Sequence, residues 1–138
     1  MKRGHVLVVD DSPTGRQAAS NLLQKSGYQV STAVDGEDAL EQIAAARPPV
    51  VVLDIVLPKM NGYQVLRQLK SSDLTRGIKV ILVSSKSQQS DRFWGLKQGA
   101  DDYIAKPYLD DALLAAVARR YDAITDARRH AAGRHRDR

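Results

Sequence analysis

Asp10 and Asp11 stand side by side directly after the apolar run VLVV, and a third aspartate, Asp54, follows a second run, PPVVVL. Farther along, Ser84 and Ser85 close KVILVSS, and Lys106 with Pro107 closes DDYIAKP. Two unit charges about 4 Å apart repel by roughly 4 kcal/mol at an effective dielectric of about 20, so adjacent carboxylates need something to offset them. Helix capping accounts for one aspartate ahead of a helix but gives no reason for the second, nor for Asp54. Three carboxylates without nitrogen or sulfur ligands are the donor set of a hard divalent cation. So few protein oxygens, completed by water and phosphate, suit Mg2+ better than a calcium cage.

Asp54 is the nucleophile this set suggests. A carboxylate can attack phosphorus to give an acyl phosphate, and the chemistry needs cations to take up charge on the transferring group. Mg2+ and Lys106 can supply that charge, while Ser84 can donate a hydrogen bond to a phosphoryl oxygen.

These residues work together only if the chain brings them to one place. Apolar runs of strand length alternate with segments of helical period. Strands are expected at 5–9, 28–33, 50–54, 79–85 and 101–107, and helices at 13–27, 36–47, 62–72, 87–100 and 111–124. Pro13 suits the first turn of the first helix and Gly27 its end, and Pro48 and Pro49 close the second helix, which cannot cross them. The third strand is apolar up to Asp54, as expected for one covered on both faces. Five strands alternating with five helices imply an α/β fold, a doubly wound parallel sheet with right-handed crossovers. Such sheets bind ligands outside the carboxyl ends of their strands, which is where Asp10, Asp11, Asp54, Ser84 and Lys106 fall.

The motifs VVDDSP, LDIVLPKMNG, LVSS and YIAKP, each at a strand end, resemble the receiver domain of two-component response regulators, in particular the stand-alone chemotaxis-type regulators. The resemblance spans about residues 3–125. It implies a flavodoxin-like five-stranded sheet in the order 2-1-3-4-5, with Asp54 as phosphoacceptor and Asp10 and Asp11 as the acidic pair that holds Mg2+. It further implies the backbone carbonyl of Val56 as a metal ligand, Ser84 as the switch hydroxyl, Lys106 as the phosphate-binding lysine and Tyr103 as the switch aromatic. A cis peptide bond before Pro107 is implied too. The stretch SSKSQQSDRFWGLKQGADDYIAKP is further similar to regulators of type IV pilus twitching motility. Val56, Ser85 and Lys86 depart from the commoner pattern around the phosphoacceptor, and we expect them to shift the acyl phosphate toward slower hydrolysis. Trp94 reads equally as a partner-docking residue or as a partly buried one.

Composition limits the alternatives. The chain has 138 residues, 43% of them apolar, no cysteine and a net charge of +5. That length suits one domain, expected at 1–125, with 126–138 a basic tail and no attached output domain. No apolar run approaches the 18 or so residues of a membrane span, MKRGHVLVV is a poor secretory signal, and the lack of cysteine fits a reducing compartment, so a cytoplasmic protein without membrane contact is expected. Five arginines and two aspartates between Asp126 and Arg138 concentrate the excess charge in the tail. No aromatic residue follows Tyr121, and direct DNA binding is not expected. The expected partners are a histidine kinase or phosphotransfer domain and a downstream effector protein. The protein is read as a phosphoacceptor rather than an enzyme with a separate substrate. On this reading, phosphorylation moves Ser84 and lets Tyr103 turn inward. A receiver-like module that binds without phosphorylation is the alternative, and a Mg2+-dependent phosphohydrolase is disfavoured because its aspartates are not adjacent.

Overall fold

The computed structural model describes residues 3–86 and 88–136. Ser87, expected to open the fourth helix, lies outside the described residues, as do residues 1–2 and 137–138. The strands are β1 (His5–Val9), β2 (Gln29–Ala33), β3 (Val50–Asp54), β4 (Lys79–Ser84) and β5 (Asp102–Ala105). The helices are α1 (Pro13–Lys25), α2 (Gly36–Ala46), α3 (Gly62–Lys70), α4 (Gln89–Lys97) and α5 (Asp110–Arg136). The sheet is parallel in the expected order, β2-β1-β3-β4-β5.

Helices α1, α2 and α3 start where a side chain satisfies a free N–H group. Ser12 caps α1 with Pro13 behind it, Asp35 caps α2, and Asn61 with Gln64 forms a capping box on α3. Among the described residues no side chain caps α4, and its apolar and charged residues are spread around its circumference. Its limits are accordingly the least legible in the sequence, and it is five residues shorter than the expected 87–100. Helix α5 runs past Ile124, the last residue with core spacing, to Arg136. The alanines and arginines of that extension are strong helix formers, and residues 125–129 are exposed.

The strand period of two splits the core between the faces of the sheet. Leu7, Val9, Val51, Leu53, Val80, Leu82 and Tyr103 pack under α2 and α3, while Val6, Val8, Val50, Val52, Ile81, Val83 and Ile104 pack under α1 and α5. Burying each of the larger side chains stabilises the fold by about 1.5 to 3 kcal/mol, so the central strands are held from both sides.

Register then decides the site. Val9 lies beside Leu53, Asp54 beside Val83, and Ser84 beside Ala105. Asp10, Asp54, Ser84 and Lys106 therefore leave neighbouring strands at nearly one level.

Candidate functional site

Asp10 and Asp54 are buried, each 7% exposed, and Asp11 is exposed at the rim. One ligand atom from each of the three carboxylates lies within 4.8 Å of the other two. Lys106 Nζ donates to Asp54 Oδ2 at 3.1 Å and reaches Asp10 Oδ2 at 3.4 Å. The Lys106–Pro107 peptide bond is cis, as the resemblance implied.

Burial pushes the Asp54 carboxyl up to about 6; the hydrogen bond and charge of Lys106 pull it down, and the neighbouring Asp10 adds to the rise. Burial alone would lower Lys106, but the hydrogen bond and charge of Asp54, with those of Asp10, hold its ammonium above the ordinary lysine range. One ammonium against three carboxylates leaves the cluster with net negative charge when all are ionised. All the clustered donors are oxygens, so the residues present fit a hard divalent cation.

Ser84 is buried at the end of β4, and its Oγ accepts from the Lys86 N–H at 3.1 Å. Tyr103 is inside the protein, 2% exposed, and its hydroxyl donates to the Lys86 carbonyl at 2.7 Å. The Tyr103 ring thus lies in the inward position. Packing explains this. A Cβ on Gly95 of α4 would stand 2.9 Å from Tyr103 Cδ2 and 3.0 Å from Leu82 Cδ1, so the bare backbone there forms the slot that the ring fills. Val56, just past β3, is 60% exposed, and Trp94 on α4 is 50% exposed.

Gly62 belongs to the site as well, and sequence reasoning gave it no role. A Cβ there would stand 2.4 Å from the Asp54 carbonyl oxygen, and its N–H donates to the Ile55 carbonyl at 2.8 Å. Helix α3 can therefore begin against the backbone of Asp54 only with glycine at that position. The signal was present in the sequence as Asn61-Gly62, a pair that marks a turn or a helix start without saying what it packs on.

A family model described as "Response regulator receiver domain" matches residues 6–118. The chain belongs to that family. Among curated relatives, this receiver domain is 42% identical to Protein PilH of Pseudomonas aeruginosa over 112 residues, which cover 81% of this chain and 93% of that protein. It is 40% identical to Protein PilG of the same organism, again over 112 residues, or 81% of this chain and 83% of that protein. Among solved structures, the receiver domain of the Francisella response regulator 1452 superposes with a TM-score of 0.84 at 30% identity. That match covers 88% of this chain and 99% of that one. Two-component signalling is thus the setting of this receiver domain. Among the described residues, no helix is long and apolar enough to cross a membrane.

Proposed function

We propose that this receiver domain accepts a phosphoryl group on Asp54 from the phosphohistidine of a histidine kinase or phosphotransfer domain, and passes the signal to an effector protein through a changed surface. The observation that supports this best is the placement of the buried Asp54 carboxylate 3.1 Å from Lys106 and beside the Asp10–Asp11 pair. An Asp54 carboxylate oxygen forms the new P–O bond as the donor's P–N bond breaks, and the imidazole nitrogen keeps the electron pair. Asp10, Asp11 and Asp54, with the backbone carbonyl of Val56, would hold Mg2+. Bound there, the ion would offset charge on the phosphoryl oxygens. Lys106 supplies a second cation to the same oxygens, and Ser84 a hydroxyl donor. Water later splits the acyl phosphate and returns the carboxylate. The exposed Val56 side chain has no polar atom to orient that water, which favours slow hydrolysis.

The Tyr103 hydroxyl and Ser84 Oγ both bond the Lys86 backbone, so a change at Ser84 reaches the segment that Tyr103 holds. When Ser84 Oγ turns to a phosphoryl oxygen it gives up the Lys86 N–H, and the start of α4 follows. The identity to PilH and PilG supports a place among regulators of type IV pilus twitching motility.

The test is intact mass after incubation with acetyl phosphate and Mg2+, alongside Trp94 fluorescence during beryllofluoride titration. We expect a single phosphoryl adduct on the wild type and none on Asp54→Asn. An unmodified wild type would make the phosphorylation-independent module the leading reading.

A further inference from the structure

We infer that the first turn of α1 positions the acidic pair: Arg16 sets the direction in which Asp11 points, and Gly15 leaves the room in which Asp10 keeps its orientation. The inference rests on the reading of Asp10, Asp11 and Asp54 as a divalent-cation site.

Asp10 is held at every polar atom. Its N–H donates to the Ala33 carbonyl at 3.2 Å, its Oδ1 accepts from the Ser12 N–H at 2.9 Å, its Oδ2 faces Lys106, and its carbonyl oxygen accepts from Arg16 Nη1 at 2.9 Å. Asp11 differs. It is exposed, and among the described residues nothing hydrogen-bonds its carboxylate, so its placement is inherited from the backbone. The peptide between Asp10 and Asp11 is planar. A donor that fixes the Asp10 carbonyl oxygen therefore also fixes the N–H and the Cα direction of Asp11. Arg16 is half-buried and reaches this oxygen from the fourth position of α1.

Gly15 acts on the other carboxylate. A Cβ there would lie 2.6 Å from Asp10 Oδ2 and 3.4 Å from its Cγ. The carboxylate would have to rotate away, and rotation gives up either the Ser12 N–H or Lys106. Outer residues that orient ligands in this way govern metal affinity although they never touch the metal.

A different role for Arg16 makes the opposite prediction. If its charge served only to relieve repulsion among the carboxylates, removing it would make a cation bind more tightly. The sign of the change separates the two.

The experiment is calorimetric titration of the full chain with MgCl2 near neutral pH, without any phosphoryl donor, for wild type, Arg16→Met, Arg16→Lys, Gly15→Ala and Asp11→Asn, with thermal melts of each. Arg16→Met should weaken Mg2+ about tenfold at a nearly unchanged melting temperature, and Arg16→Lys, which keeps a charged donor of similar reach, should recover most of the loss. Gly15→Ala should weaken binding as well, and it carries the test should Arg16→Met fail to fold. Unchanged or tighter binding by a folded Arg16→Met overturns the role of Arg16, and unchanged binding by Gly15→Ala overturns that of Gly15. A wild type that binds no Mg2+, or an Asp11→Asn variant that binds as well as wild type, defeats the cation-site reading itself and the inference with it.

Discussion

The hydroxyl of Tyr103 donates a 2.7 Å hydrogen bond to the backbone carbonyl of Lys86. That bond ties β5 to the segment that leaves β4, next to the buried Ser84, and it is made possible by the slot under Gly95. Substituting Gly95→Ala should therefore act through the aromatic ring. We expect a loss of about 1 to 3 kcal/mol from overpacking in chemical denaturation, most of it absent in a Tyr103→Ala background. An undiminished cost in that background would assign the clash to Leu82 instead.

Asp54 makes stability depend on pH in a direction unusual for a carboxylate. Its folded value of about 6 lies above the ordinary value of 3.8, so between these two values the folded chain holds a proton that the unfolded chain has lost. Stability from this group therefore falls as pH rises through the window. Asp54→Asn should be more stable than wild type near neutral pH by about 1 to 2 kcal/mol, less than a shift of this size carries in full because the variant also gives up the charged partner of Lys106. Denaturation at several pH values checks this, and Mg2+ should stabilise the wild type but not the variant.

Lys106 is the cation that two buried carboxylates share. Lys106→Met should cost about 1 to 3 kcal/mol without divalent ions, the usual result of leaving a buried polar group without its partner. It should also move the Asp54 carboxyl above 6, since the downward pull on it comes from Lys106. Carbon NMR titration of the aspartate carboxyls reads the second effect directly, and added Mg2+ should restore much of the lost stability.

At the opposite end of the sheet, Tyr121 donates to the His5 carbonyl and its ring stacks on Tyr28 with centroids 5.7 Å apart. Burial, with Tyr28 adding to it, pushes its hydroxyl up to about 12, against the hydrogen bond to His5 and the charge of Arg128. The unfolded side chain ionises near 10, so stability should decline as pH rises from there toward 12. Tyr121→Phe should flatten that decline while costing about 1 kcal/mol at neutral pH for the lost bond. Tyrosinate absorbance and denaturation at alkaline pH check both parts.

The sequence by itself determined which residues meet. A parallel sheet brings the carboxyl ends of its strands to one edge, and Asp10, Asp54, Ser84 and Lys106 each sit at such an end, so their gathering follows from strand period and connection rules. Sheet order came from the resemblance carried by the same motifs. What only the tertiary structure decided are contacts between elements that have no local signature. Whether the Tyr103 ring lies in or out depends on how closely α4 approaches Leu82, and Gly95 controls that distance from another element. The rise of Asp54 depends on burial from several sides at once, because desolvation sums over everything packed around a group. The backbone clamp on Asp10 by Arg16 and the seat of Gly62 on the Asp54 carbonyl are likewise matters of distance. Period and spacing specify which face a residue occupies, while distances across a packed core are set by all the side chains between.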